Sequence, residues 1–283
     1  MTVGRVPEVS NRYTKGTKIS FLLITGLLFS SGVAFFTNLV YSSYDKPLYD
    51  DAFIEYVENI AAPFTPFTFV NNRGDTSRYR LLTPINYNST IKYPLLVCLH
   101  HAGSGTDNVM QVQAAEIAPM FVDSAIRNKY PCFVLVPQCS PGATWGGLPN
   151  SRSDEQLAFS AIERVRQDYS IDSGRVYVTG ASMGGYGTWN FISRRPNLFA
   201  AAIPICSGAD PVIAKRIASI PVWVFHGEND PNVPVRYSRD MIKALRDHGG
   251  NPRYTEVAEG THNISSLVEQ TPGLLDWLFA QKK

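Results

Sequence analysis

Cysteine is scarce in this chain: four residues among 283, none of them in a C-x-x-C pair. That excludes a disulfide-dense scaffold and a clustered-thiolate metal centre. An excess of one charge is also lacking. Lys and Arg number 26 against 24 Asp and Glu, so the basic face of a nucleic-acid binder is not expected, and no nucleic-acid partner is. Charged residues are only 18% of the chain and hydrophobic residues 44%, which excludes wholesale disorder. No internal period of about 20–50 residues recurs, so a solenoid or propeller is excluded as well.

The few cysteines that are present divide into two kinds. Cys98 and Cys206 lie inside apolar runs and read as buried strand thiols. Cys132 and Cys139 end one extended run; on the order of 20 Å of strand separates them, too far to bridge each other. A Cys139–Cys206 bridge between neighbouring strand ends stays open.

The N-terminus carries a compartment signal. No charged residue occurs between Lys18 and Asp45, and Ile19 to Tyr41 is mostly apolar. As a helix this stretch would reach about 34 Å, enough for a hydrocarbon core of about 30 Å. Arg5, Arg12, Lys15 and Lys18 precede it, and Asp45, Asp50, Asp51, Glu55 and Glu58 come after it. By the positive-inside rule the N-terminus stays inside and the rest of the chain is extracytoplasmic. A cleaved signal peptide competes with a membrane anchor; both export the remainder of the chain. Asn88-Ser89-Thr90 and Asn263-Ile264-Ser265 are glycosylation sequons where the host glycosylates. The expected plan is a basic tail (1–18), an anchor or signal peptide (19–41), a connector (42–66) with one short helix near Asp51–Asn59, and one large domain (67–283).

Within that domain, Phe67–Val70 and Arg78–Leu82 read as a hairpin around a polar turn. Apolar strand-like runs recur at Tyr93–Leu99, Cys132–Val136, Arg175–Thr179, Ala200–Ile205, Val222–Phe225 and Tyr254–Val257. Helix-length segments alternate with them at Val109–Arg127, Asp154–Tyr169, Gly184–Arg194, Pro211–Ala218, Val235–Asp247 and Ser265–Gln281. The pattern predicts an α/β fold: a mostly parallel sheet with an antiparallel edge hairpin and helices on both faces. Ligands of such sheets bind at the carboxyl ends of the strands.

Chemistry-bearing residues cluster at those ends. After Arg175–Thr179 comes Gly180-Ala181-Ser182-Met183-Gly184-Gly185, a G-x-S-x-G pattern between a strand and a helix that lifts a serine hydroxyl above the sheet. A serine hydroxyl needs an oriented base to become a nucleophile. His262, in the loop beyond the last strand, is a better base than His248, which ends a helix. For the acid, Asp230 and Glu228 both lie just after Val222–Phe225; Asp230 precedes Pro231, which aims its short side chain, and is favoured. The Met183 amide supplies one oxyanion donor, and the second should come from Leu99-His100-His101-Ala102-Gly103. A metal site on His100-His101 is disfavoured because adjacent residues of an extended chain point apart. No metal or organic cofactor is expected.

Residues from about 78 to 281 resemble α/β-hydrolases of the carboxylesterase type. They are most similar to bacterial secreted esterases of the prolyl oligopeptidase, polyhydroxybutyrate depolymerase and feruloyl esterase groups. The resemblance is carried by Leu99–Gly103, Val136-Pro137-Gln138-Cys139, Gly180–Gly185, Pro204-Ile205-Cys206-Ser207-Gly208 and His226-Gly227-Glu228-Asn229-Asp230. It implies a catalytic triad of Ser182, Asp230 and His262, with Ala102 and Met183 as oxyanion donors. It departs at His101, where the family usually carries glycine; that side chain is expected to narrow the pocket or contact substrate. Trp145 is expected at the same rim, either as a wall for the substrate or as a packed loop anchor. The implied activity is cleavage of carboxylic esters, small or borne on a polymer, through an acyl-enzyme. A serine peptidase is the enzymatic alternative, and a silent membrane-anchored binding domain the non-enzymatic one. The short interval from Cys206 to Pro221 leaves no room for a large cap, so short acyl groups or polymer-displayed esters are expected.

Overall fold

The computed structural model describes residues 50–71, 74–104 and 107–283. The expected segment 19–41 lies outside the described residues. Among the described residues no helix is long and apolar enough to cross a membrane.

Ten strands organise the chain: β1 (Thr65–Val70), β2 (Thr76–Leu82), β3 (Tyr93–Leu99), β4 (Phe133–Gln138), β5 (Ala143–Thr144), β6 (Arg152–Ser153), β7 (Ile171–Ala181), β8 (Ala201–Ile205), β9 (Trp223–Gly227) and β10 (Arg253–Val257). Eight form one sheet in the order β1-β2-β4-β3-β7-β8-β9-β10, and the short β5 and β6 pair separately. The β1–β2 hairpin joins β4 antiparallel; from β4 to β10 every pairing is parallel. Every residue of β3, β4 and β8 is buried, as their unbroken apolar runs require of strands covered on both faces. Strand alternation sorts the core. Leu95, Val97 and Leu99 of β3 join one apolar cluster, and Leu96 and Cys98 join the other across the sheet.

Nine α-helices cover the faces: α1 (Asp51–Ala61), α2 (Met110–Gln113), α3 (Ser124–Lys129), α4 (Glu155–Asp168), α5 (Met183–Arg194), α6 (Ala214–Ile217), α7 (Arg236–Asp247), α8 (Ser265–Glu269) and α9 (Leu274–Ala280) among the described residues. Three segments expected to be single helices are broken. Val109–Arg127 yields α2, a 3₁₀ turn at Ala118–Val122 and the start of α3. The breaks fall where Glu116 takes φ +50° and where Asp123 accepts from the amides of Ala125 and Ile126 as the cap of α3. Pro211–Ala218 is a 3₁₀ turn running into α6. Ser265–Gln281 is split into α8 and α9 at Pro272-Gly273, with Gly273 at φ +73°.

Part of the stretch read as connector is packed structure. Asp50 caps α1 through the Phe53 amide, and Val57, Ile60 and Ala61 are buried on one side of the helix. Phe64 is fully buried in the same apolar cluster as Leu96 and Val134. The Arg80 guanidinium donates to the Ala61 and Phe64 carbonyls at 3.0 and 2.8 Å, tying the end of α1 and the turn after it to β2. Phe64→Ala is therefore expected to lower the unfolding free energy by about 3–5 kcal/mol, measured by urea denaturation.

Candidate active site

The turn from β7 into α5 sets Ser182 at φ +52° and ψ −118°, a conformation that non-glycine residues rarely adopt. The turn closes because its flanking glycines lack side chains. A Cβ on Gly180 would lie 2.6 Å from the backbone of Gly184 and Leu99, and one on Gly184 would overlap the Leu99 carbonyl. The Ser182 amide donates to the Ile205 carbonyl at 3.0 Å, which ties the turn to β8.

Asp230 sits in the loop after β9. Its Oδ1 accepts from the amides of Asn232 and Val233 at 2.8 and 2.9 Å, and its Oδ2 lies 2.7 Å from His262 Nδ1. The carboxylate is fully enclosed while the His262 ring keeps 23% exposure. Burial by itself raises the Asp230 pKa, but hydrogen bonds from His226, His262 and the two amides outweigh it and hold the carboxyl well below its usual range. His262 therefore carries its proton on Nδ1, which leaves the Nε2 lone pair for a hydroxyl. The Asn229 amide donates to the Gly260 carbonyl at 2.8 Å, locking the acid loop against the histidine loop.

The other candidates lie elsewhere. Glu228 faces the turn after β10, its Oε2 accepting from the Glu259 amide at 3.3 Å. His248 is the exposed C-cap of α7. Among the described residues no hydrogen bond joins Ser182 Oγ to His262; such contacts commonly tighten only once substrate is bound.

The expected oxyanion loop is braced from behind. The Cys139 amide donates to His100 Nε2 at 3.0 Å, so that nitrogen carries no proton. The proton is on Nδ1, 2.8 Å from the His101 carbonyl and 2.7 Å from Ser104 Oγ. Burial lowers the His100 pKa to about 4, consistent with a neutral ring. Ala102 is exposed, Met183 begins α5, and among the described residues neither amide is taken by a protein acceptor. Both are thus available to a developing oxyanion. His101 turns back on its own loop, with Nδ1 2.7 Å from the Ala102 carbonyl.

Trp145 is corrected from a possible substrate wall to an anchor. It has no exposed surface, its indole N–H donates to the His100 carbonyl at 2.9 Å, and its ring packs edge-on to His100.

All four cysteines are free and buried, so Cys139 and Cys206 do not bridge. Cys206 Sγ, a His226 ring nitrogen and an Asp230 oxygen do converge within 4.8 Å. They do not suit a cation: His226 Nε2 lies 2.9 Å from the Val233 carbonyl, which only accepts, so this nitrogen holds a proton rather than a free lone pair. Burial pushes the Cys206 thiol up to about 12.

Two further groups at the site were not singled out from the sequence. One is His226 itself, whose only signal was its position at the strand end before Asp230. The other is Glu116: burial raises its carboxyl pKa, against the opposing pull of Ser265, His101 and His262, and its Oε2 has no hydrogen-bond partner among the described residues. Glu269, beside it, is pushed up to about 7 by burial and by Glu116.

The neutral, buried His100 has a pH signature. Its folded pKa lies below the unfolded value of about 6.5, so the unfolded chain binds more protons between about pH 6.5 and 4. This contribution is full above pH 6.5 and is lost as pH falls through that window. The raised Glu269 acts with the opposite sign, so the comparison must be made with a variant. The stability difference between the protein and His100→Asn is expected to shrink by about 2 kcal/mol from pH 7 to pH 5, measured by urea denaturation at both values.

Comparison with known proteins agrees with this geometry. The profile of the dienelactone hydrolase family matches residues 142–262. A bifunctional acetylxylan esterase/xylanase of Neocallimastix patriciarum is 30% identical over 115 residues, covering 40% of this chain and 17% of that protein. Feruloyl esterase D of Neurospora crassa is 24% identical over 204 residues, covering 70% of this chain and 69% of the relative. The crystal structure of a thermostable esterase superposes with a TM-score of 0.72 at 41% identity, covering 79% of this chain and 64% of that one. The chain spans 17% and 29% of the first two curated relatives, so it matches one part of those larger proteins. Strand order, the turn at Ser182 and these similarities together give the chain an α/β-hydrolase fold, similar to that of the thermostable esterase.

Proposed function

We propose that the protein is an extracytoplasmic serine esterase that cleaves short-acyl or polymer-displayed esters through an acyl-enzyme, without a cofactor. The observation that carries this reading is the 2.7 Å contact between Asp230 Oδ2 and His262 Nδ1, set beside the strained turn at Ser182. In this mechanism Ser182 Oγ attacks the ester carbonyl while His262 Nε2 takes its proton. Asp230 stabilises the resulting imidazolium. The Ala102 and Met183 amides receive the oxyanion. Collapse breaks the carbonyl–alkoxy bond, and the leaving alcohol takes the proton from His262. Water, deprotonated by the same nitrogen, then attacks the acyl-enzyme, releasing the acid and restoring Ser182.

Two observations bear on the substrate. Between β8 and β9 the chain makes only a 3₁₀ turn and α6, so no separate cap covers this side of the strand ends among the described residues. Without a deep apolar wall, each added methylene of an acyl chain gains little of the roughly 0.8 kcal/mol that its burial would contribute. The relatives named as acetylxylan and feruloyl esterases favour a small acyl group displayed on a polymer. Export rests on the apolar segment 19–41 and its flanking charges, and on similarity to a secreted protein of Arthroderma benhamiae.

A series of p-nitrophenyl esters, run beside a peptide amide, tests the reading. Acetate and butyrate are expected to be cleaved fastest, and the amide poorly. Ser182→Ala should abolish labelling by a fluorophosphonate probe, and Asp230→Asn should lower kcat by about 10⁴-fold with the fold intact. Rates rising toward palmitate, or amide cleavage rivalling ester cleavage, would contradict the proposal.

A further inference from the structure

We infer that His226 is a positioning residue for the reaction, holding the Asp230 carboxylate in line with His262 through its Nε2 proton and anchored in turn by Ser238. This rests on the serine-esterase reading of Ser182, His262 and Asp230. His226 is the penultimate residue of β9 and has no exposed surface. Its Nε2 lies 2.9 Å from the Val233 carbonyl and 3.3 Å from Asp230 Oδ2. Both partners only accept, so the nitrogen is protonated and its N–H is shared between them. On the other side of the ring, Nδ1 lies 2.7 Å from Ser238 Oγ on α7, and the same oxygen lies 2.8 Å from the Ser207 carbonyl just beyond β8, so its one proton serves one of these two acceptors at a time. Ser207 and Ser238 are themselves without exposed surface. A continuous buried seam thus runs from the end of β8 through α7 and β9 to the acid.

The seam answers a mechanical question. A carboxylate that holds an imidazole through one oxygen can still rotate about Cβ–Cγ and lose the tautomer it selects. Here the amides of Asn232 and Val233 fix Oδ1, and His226 Nε2 lies 3.3 Å from Oδ2, the oxygen that also meets His262. The contacts are unequal. His262 is at 2.7 Å and His226 at 3.3 Å with its N–H divided, so the base keeps the stronger bond. His226 also draws some of the carboxylate's negative charge, which keeps Asp230 from over-stabilising a protonated His262. Removing that N–H should make His262 harder to deprotonate.

Other charged groups face this assembly and stay in place when His226 is changed. Glu256 on β10 pairs with His226 in register and is held by Arg239 of α7. Cys206 and Tyr186 lie near Asp230, each raised above its ordinary range, chiefly by burial. Glu116 acts electrostatically with His262 and with His101. Variants must therefore be read as differences from the unaltered protein.

The experiment uses the full chain and p-nitrophenyl butyrate, with kcat and KM measured from pH 5 to 9. His226→Leu, which keeps bulk and removes both ring nitrogens, is expected to lower kcat about 10- to 100-fold with KM within about threefold. Its acidic limb of kcat/KM should move up by about one pH unit. His226→Gln places an amide N–H within reach of the same two acceptors and should restore kcat to within about threefold and return the limb. If His226→Leu does not fold, Ser238→Ala carries the test: it keeps the imidazole but frees its far side, and a smaller fall in kcat with the same upward shift is expected. A folded His226→Leu with unchanged kcat and limb overturns the inference. So does an equal loss in the Leu and Gln variants with no shift of the limb, since that is only structural damage. An inactive Ser182→Ala beside an unperturbed His226→Leu removes this inference alone, whereas an active Ser182→Ala removes the serine-esterase reading with it.

Discussion

The close approach of three backbones at the end of β7 is the constraint on which the site depends. Gly180, Gly184 and the Leu99 carbonyl meet where no Cβ would fit, so α5 starts directly against β3. That contact forces Ser182 into positive φ, a conformation costing on the order of 1–3 kcal/mol that persists only when its surroundings over-determine it. The surroundings do so: the Ser182 amide is bonded to Ile205 on one side, and the Ser182 carbonyl receives the Tyr186 amide on the other. The same closeness brings the Met183 amide and the loop after β3 to one edge of the sheet. Ser182 and the two amides of the proposed oxyanion hole are thus set by one packing event.

Around that turn the site is organised by histidines with different hydrogen-bond partners. His100 accepts from the Cys139 amide and is a neutral strut beneath the loop after β3. His226 donates to a carbonyl and a carboxylate and is buried in the strand layer. His262 alone of the three keeps partial exposure together with a carboxylate at 2.7 Å, the combination a general base needs. Residue type did not distinguish them; their surroundings did.

Much of the architecture could be read along the chain because parallel strands buried on both faces must be continuously apolar. β3 and β8 are such runs, and the strands found overlap those expected. The helical layer was less legible. Apolar spacing alone ran Val109 to Arg127 together, whereas Asp123 caps a new helix there and Glu116 turns the chain away. Residues 50–66 look like a connector by composition, yet α1 and Phe64 complete the core on one face because Arg80, on a strand, binds their carbonyls. Trp145 shows the same limit: a loop aromatic can face solvent or interior, and only the approach of His100 and Gly187 decided that it is enclosed.

What the sequence by itself determined is the order of strands and helices and the placing of Ser182, Asp230 and His262 just beyond successive strand ends. Local rules govern both: hydrophobic period selects the element, and glycine and proline mark where it stops. What only the tertiary structure decided is which neighbouring polar group each of these residues meets. Asp230 rather than Glu228 faces His262 because the Asn232 and Val233 amides and the Asn229–Gly260 bond set the loop's path. His226 reaches Asp230, and Ser238 reaches His226, because α7 packs back over the end of β9. Such contacts join residues on separate elements over about 3 Å, and no periodicity within one segment encodes a distance between two.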